Sequence, residues 1–408
     1  MTAQWHSLPA WARWPIMVAL AILVLAIVQS FSDTDLLTDD RASSSMLKWS
    51  IPIMLAGLGG LFSERAGVVN IGLEGMMILG TWAGAFGAYH WGAWGGLAAG
   101  IIGGGLGGLL HAVATVTFGV DQIVSGVAIN IMGPGIARYL SERVFTTYEG
   151  GSQTQSPRVE GFGDVSVPVL SDLLTTIAEK EWFWISDVAG VFEGMVTDVS
   201  WFTIMALACV PLSTFVLWRT RFGLQLRICG ENPHAGESLG VKIYTHKYAA
   251  VIISGALAGM AGAFIVLELS GIYRGGQTNG RGFIGLAALI FGNWRALGIM
   301  LGSFLFAYPF GLSLVDLTDR AARALLLVIA IALAGVAAWA IRAEKKFDAA
   351  FAAVLAAIAL VWYLTTDTAN DWLPSTMPYA IVLIVLVFAS QRLRPPRAAG
   401  LAYRRGGA

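Results

Sequence analysis

Residues 94–117 read WGGLAAGIIGGGLGGLLHAVATVT, a stretch without one Asp, Glu, Lys or Arg. A soluble helix of that length would need a polar face, whereas a bilayer core about 30 Å thick takes about 20 apolar helical residues. The stretch therefore reads as a membrane crossing. Its glycines at 100, 104 and 108 are four apart and lay a smooth stripe on one helix face, where a second backbone can approach closely. The stripe reads chiefly as dense helix packing, with pathway lining as the alternative.

Working outward, the same character recurs near 14–31, 47–62, 72–90, 121–140, 200–218, 248–270, 296–315, 322–341, 349–366 and 376–391, with a shorter run at 283–292. Of the 408 residues 56% are hydrophobic and 13% charged, 49 are Gly, and the mean hydropathy is +0.68. Soluble domains run near 25% charged. With 26 basic and 26 acidic residues there is too little charge for a hydrated skin, which excludes a soluble enzyme and a disordered chain. Zero net charge also argues against nucleic-acid binding, which needs a basic surface. The predicted fold class is all-α, a polytopic transmembrane helical bundle of about 10–12 spans forming a single domain over 1–408.

Lys and Arg in short loops stay on the cytoplasmic side. Segment 219–247 holds Arg219, Arg221, Arg227, Lys242 and Lys247; segment 342–346 holds Arg342, Lys345 and Lys346; the tail holds Arg392, Arg394, Arg397, Arg404 and Arg405. These are predicted inside. Segment 145–200 carries nine acidic residues against Arg158 and Lys180, and 32–45 carries four Asp against Arg41. These are predicted outside, and twelve spans with both termini cytoplasmic satisfy every assignment. Cys209 and Cys229 offer no disulfide framework.

Three segments interrupt the apolar pattern. Ser63 to Met77 sets three charges and Asn70 among glycines; it is either an ordinary turn capped by Ser63 or a broken helix, and irregular backbone at membrane depth is tolerated only where it packs in protein or lines a cavity. In the loop Arg221 to Lys247, Gly230-Glu231-Asn232-Pro233 is a turn leading into a helix start. A short helix over Pro233 to Leu239, stopped by Gly240, follows, and it is too polar to span. The third, Gly280 to Arg295, has an apolar core too short to cross comfortably and reads as a re-entrant helix or a kinked half-span.

No Lys follows a Gly, so the chain has no GxxxxGK[ST] phosphate loop. The five His have no metal spacing with the two Cys, and no paired catalytic groups stand out; no catalytic residue, metal site or cofactor is predicted.

Ser63 to Met77, Arg227 to Gly240, Gly280 to Gly298, and the tail Met377-Pro378-Tyr379 with Pro395-Pro396, Gly400 and Tyr403 together resemble the permease subunits of nucleoside-type ABC importers, within the wider ribose and branched-chain amino-acid permease group. The resemblance covers most of the chain, with four motifs in order. It departs from the family in a long external segment 145–200 and in an extra helical hairpin at 322–366. The resemblance implies a bacterial inner-membrane permease domain that carries nucleosides or related purine or pyrimidine compounds. It implies three partners: a separate ABC ATPase subunit, a second permease subunit and a substrate-binding lipoprotein. It makes 219–247 the cytoplasmic coupling segment, with Gly230, Glu231, Asn232, Pro233, Ala235, Gly236, Glu237 and Gly240 as ATPase-coupling residues. Hydroxyls and base edges need hydrogen bonds, and the candidate pathway residues are Asn70, Glu74, Gln122 and Asn130. A simple-sugar permease of the ribose type is the nearest alternative. An ion-coupled secondary transporter would need two halves of related hydropathy, which the sequence does not display.

Overall fold

Lipid leaves no water for exposed backbone groups, so each apolar run has to satisfy its own hydrogen bonds and becomes a helix. The computed structural model describes residues 10–32, 34, 36–166, 168–180, 182–312, 319–365 and 393–404. Among these residues seven helices are long and apolar enough to cross a membrane, and Val18–Ser32, Arg281–Phe291 and Ala296–Leu312 are shorter apolar ones. One of the seven, over 73–117, folds back on itself as described below, so these helices are in keeping with a polytopic bundle of 10–12 spans. The run 376–391, Met377-Pro378-Tyr379, Arg392 and Arg405 lie outside the described residues.

The chain divides into two compact units. The first comprises residues 1–47, 165–199 and 308–381, and the second residues 48–164, 200–307 and 382–408. In the first unit lie α1 (Ala10–Ser32), α5 (Pro168–Ala178), α6 (Ile185–Val196), α13 (Asp319–Arg342) and α14 (Lys346–Thr365). α13 and α14 pack on each other as a hairpin, turning at Glu344, and Lys345 pairs with Asp348 at 3.7 Å. Val28, Leu37, Ala42, Leu312 and Leu325 form the unit's apolar cluster. The acidic segment 145–200 is therefore partly helical, contributing α5 and α6.

The second unit begins along α2 (Asp40–Arg65) and contains α3 (Leu73–Ala112), α4 (Gln122–Val144), α7 (Trp201–Arg219), α8 (Arg221–Glu231), α9 (Pro233–Ser238), α10 (Ile243–Phe264), α11 (Arg281–Phe291) and most of α12 (Ala296–Leu312). α3 is a hairpin of two helical limbs. Trp91 and Gly92, the latter at φ 69°, reverse the chain, so that Gly87 lies against Gly95 and Gly84 against Gly96. The predicted runs 72–90 and 94–117 are these two limbs.

The glycine stripe meets a second one on α10. A Cβ at Gly104 would lie 2.3 Å from the Gly255 carbonyl oxygen, and one at Gly259 would lie 2.2 Å from that of Gly100. Two backbones touch with no side chain between them, the arrangement that small residues permit in lipid. Large apolar side chains such as Ile102, Leu106 and Ile131 point outward and are exposed, as lipid-facing positions are.

Candidate functional site

α2 ends at Arg65, and the chain does not resume a helix until Leu73. Gly67, at φ +81°, starts the break. The Ser63 hydroxyl donates to the Val68 carbonyl at 2.6 Å, so Ser63 closes the end of a helix instead of starting one. The segment is an irregular turn that brings Leu73 back beside Gly60, and its backbone polar groups need partners from the surrounding protein.

Side chains distant in sequence supply them. The Val69 N–H donates to Gln122 Oε1 at 2.6 Å, and His111 Nε2 lies 3.1 Å from the Val69 carbonyl oxygen. That carbonyl can only accept, so Nε2 carries the proton and Nδ1 accepts from the Ser125 hydroxyl at 2.9 Å. Asn70, fully buried, accepts from Gly72 N at 3.0 Å and donates to Ser254 Oγ at 2.9 Å. Asn130 bridges the far end, accepting from Gly75 N at 2.8 Å and donating to the Ile71 carbonyl at 2.9 Å. Close approach here depends on small residues, since a Cβ at Gly75 would sit 2.3 Å from the Ile129 oxygen.

Glu74 points the other way, into the start of α11. Its Oε1 accepts from the Thr278 hydroxyl at 2.6 Å and from Gly280 N at 2.9 Å, and its Oε2 accepts from Gly282 N at 2.7 Å. A carboxylate at a helix N-terminus satisfies orphan donors and complements the positive end of the helix dipole. Arg281 lies over the Trp49 ring at 4.3 Å and donates to the Gln277 and Thr278 carbonyls. With 11 residues, α11 is about 16 Å long, half a bilayer core. Gly285 lies beside Gly57 and Leu289 beside Gly60, so α11 runs alongside the second half of α2. It ends where Trp294 Nε1 donates to Glu64 Oε2 at 2.6 Å and Arg65 donates to the Trp294 carbonyl at 2.9 Å. The predicted half-span is thus a helix of 11 residues entered from a run of turns over 275–280. Asn70, Glu74, Gln122 and Asn130 come together around one break, with the named polar atoms engaged by protein.

The loop predicted over 219–247 holds two helices before α10 begins at Ile243, because Arg221–Glu231 also forms one. Thr220 caps it, accepting from Gly223 N at 3.1 Å. The sequence argument missed α8 because it searched that segment for apolar runs, whereas α8 buries only Gly223, Leu226, Cys229 and Gly230. α9 follows the expected chemistry. Asn232 Oδ1 accepts from Ala235 N at 3.0 Å, Pro233 opens the helix, and Gly240 at φ +80° stops it. Its inner face is Pro233 and Gly236, the latter against Ile228 and Ile243. His234, Ala235, Ser238 and Leu239 are exposed, Leu239 by 78%.

The end of α8, which leads into this knob, is joined to the break. A Cβ at Gly230 would lie 2.2 Å from the Arg65 oxygen and 3.0 Å from Gly67 N. The C-terminal strap closes over both: Ala398 N donates to the Gly230 carbonyl at 2.8 Å, and the Tyr403 hydroxyl donates to Glu237 at 2.5 Å. Glu231, exposed, is 3.9 Å from Arg65. Sequence reasoning missed His111, Ser125, Ser254, Thr278 and Trp294 as members of this network. The available signal was weak, polar residues in otherwise apolar runs. Among the described residues no cluster of three or more His, Cys, Asp or Glu is placed to hold a metal ion.

Comparison with known proteins adds a family and relatives. The family described as "Branched-chain amino acid transport system / permease component" matches residues 43–334. The nucleoside ABC transporter permease protein NupC of Lactococcus lactis is 37% identical over 281 residues, covering 67% of this chain and 81% of the relative. The guanosine ABC transporter permease protein NupQ of Bacillus subtilis is 35% identical, covering 66% and 80%. The putative glucose ABC transporter permease protein TsgC13 of Haloferax volcanii is 34% identical, covering 62% and 71%. No solved structure matches the chain significantly.

Proposed function

The chain belongs to the family of permease components typified by branched-chain amino acid transport systems, and from that premise we propose that it is the permease subunit of an ATP-binding-cassette importer that carries nucleosides or related purine and pyrimidine compounds. The cargo follows the relatives named for nucleoside and guanosine transport. In this reading the protein sits in a bacterial inner membrane with both termini cytoplasmic. It pairs with a second permease, identical or homologous, and receives cargo from a substrate-binding lipoprotein. ATP is hydrolysed on a separate subunit, consistent with the missing Gly-Lys phosphate loop.

The observation that carries the reading is the contact between the end of α8, which leads directly into the exposed knob α9, and the break at Gly67, through Cys229 and Gly230. Work done by an ATPase on α9 then reaches Val69 to Glu74 through touching backbone. Asn70, Glu74, Gln122 and Asn130 shape the pathway in this account by holding the backbone of the break. Gly230, Glu231, Asn232, Pro233, Gly236 and Gly240 build the knob, and Ala235 and Leu239 present its docking face. Glu237 is tied to Tyr403, so reversing its charge would disturb the strap as well as any interface. Leu239→Glu combined with Ala235→Trp changes only exposed positions. Burying a charge and a bulky ring at a close interface costs several kcal/mol, so recovery of the ATPase with the permease from detergent should fall about tenfold or more. Undiminished recovery with full transport would show that coupling lies elsewhere.

Sidedness has its own test. Burial pushes the Cys229 thiol up to about 11, which leaves little thiolate, and Cys209 is replaced by Ala. On that background Gln153→Cys should react with an impermeant thiol reagent from outside intact cells and Ser238→Cys only after permeabilisation. Reaction of both from outside would overturn the orientation.

A simple-sugar cargo is the second reading, favoured by the relative named for glucose. Uptake of labelled inosine, compared with uptake of labelled ribose and glucose, separates the two; sugar uptake with no inosine uptake would reject the nucleoside reading.

A further inference from the structure

A cavity of about 310 Å³ within the second unit is lined by Lys48 of α2, Phe162, Gly163 and Asp164, Ser200 and Thr203 at the start of α7, and Leu267 and Glu268 beyond α10. Glu268 is carried on a π-helical stretch, Ile265–Ser270, which ends at Gly271 with φ +65°. Single π turns are rare and are found frequently at functional sites. The loop above the carboxylate is held down, with Phe162 N donating to Glu268 Oε1 at 3.1 Å. It can lie there only because residue 161 is Gly, since a Cβ would meet the Leu267 oxygen at 2.1 Å. Lys48, Asp164 and Ser200 line the same cavity as Glu268, and the Ser200 hydroxyl accepts from Thr203 N at 3.1 Å.

We propose that this cavity binds the vicinal hydroxyls of a pentose, and that it is a station for the ribose of a nucleoside; the second clause rests on the nucleoside reading above. The chemistry selects the class. A hydroxyl both donates and accepts, so neighbouring hydroxyls suit a wall that alternates the Glu268 and Asp164 acceptors with the Lys48, Ser200 and Thr203 donors. An anion would face two carboxylates, and a cation would face Lys48. Phe162 and Leu267 offer an apolar wall for the C–H face of a sugar. The volume is at the small end of ligand pockets, enough for a pentose and too little for an oligosaccharide.

Gly163 gives access for a test, because a Cβ there has nothing within 4 Å and its φ is unstrained. Gly163→Cys is made with Cys209→Ala and purified in the assembled transporter, and thiol modification is timed with ribose, inosine or hypoxanthine present. Ribose and inosine should each slow the reaction and hypoxanthine should not. Glu268→Gln in the same protein should raise the ribose concentration needed for half-protection about tenfold, the loss of one good charge-assisted hydrogen bond. Modification rates indifferent to ribose and inosine, or protection unchanged by Glu268→Gln, would overturn the site. The two readings fail separately. Inosine uptake without protection rejects the site and keeps the nucleoside cargo, whereas ribose protection without nucleoside uptake keeps the site and rejects that cargo.

Discussion

Gly259→Leu should leave almost no assembled permease in the membrane, and Gly259→Ala should already lower the amount. In lipid the drive for two helices to pack is close contact, because the tails are as apolar as the side chains. The seam between α10 and the second limb of α3 is built on that contact. A Cβ at Gly259 would lie 2.2 Å from the Gly100 oxygen and 2.8 Å from Gly104 Cα and N, and one at Gly255 would lie 2.4 Å from the Gly104 oxygen. These neighbours are backbone, which cannot rotate away as a side chain can. Inserting a methylene against movable side chains costs about 1–3 kcal/mol; here the helices themselves have to part, and contacts along the seam go with them. Recovery of monodisperse protein after detergent extraction is the readout, and for Gly259→Leu it should fall about tenfold or more. Gly105→Ala, on the facing limb of α3, is the control, since its Cβ would meet only Ala256 Cβ at 3.9 Å. Equal recovery of Gly259→Leu and Gly105→Ala would mean that the seam does not hold the unit together.

That seam was legible in the sequence because a four-residue glycine spacing maps directly to a helix face. So was α9, whose Asn-Pro start and Gly stop are local chemistry, and its bounds fell within one residue of the expected Pro233 to Leu239. The crossings were legible as apolar runs, including the two limbs of α3. What stayed hidden depends on pairing over long separations. Nothing in the neighbourhood of Asn70 indicates Ser254, 184 residues away, or in that of Glu74 indicates Thr278, 204 residues away. The helix α8 was hidden for another reason. Its few buried positions are small or isolated among Arg and Gln, so neither an apolar run nor a turn signal marks it. The cavity at Glu268 was hidden because a π turn shifts the register of α10 by one residue, which no apolar pattern records.

The deepest of those long-range pairings is expected to matter most for transport: Glu74→Ala should abolish uptake, and Glu74→Gln should reduce it. The carboxylate takes three donors, the Thr278 hydroxyl and the N–H groups of Gly280 and Gly282. In the Ala variant the hydroxyl can turn to another acceptor, but the two backbone donors cannot. Each buried donor left unpaired costs about 1–3 kcal/mol, so the start of α11 loses about 2–6 kcal/mol of support. Gln keeps one oxygen, but it turns an NH2 toward N–H donors and gives up a negative charge worth about 0.3–1 kcal/mol at a helix N-terminus. The expected order is therefore Glu, then Gln, then Ala. Because Glu74 is eight residues along the chain from Ala66, where the irregular segment begins against Gly230, loosening α11 disconnects that helix from the part of the chain that the end of α8 touches. Uptake divided by the amount of assembled transporter separates this effect from simple loss of protein. Normal uptake per assembled molecule in Glu74→Ala would show that the junction between the break and α11 plays no part in moving cargo.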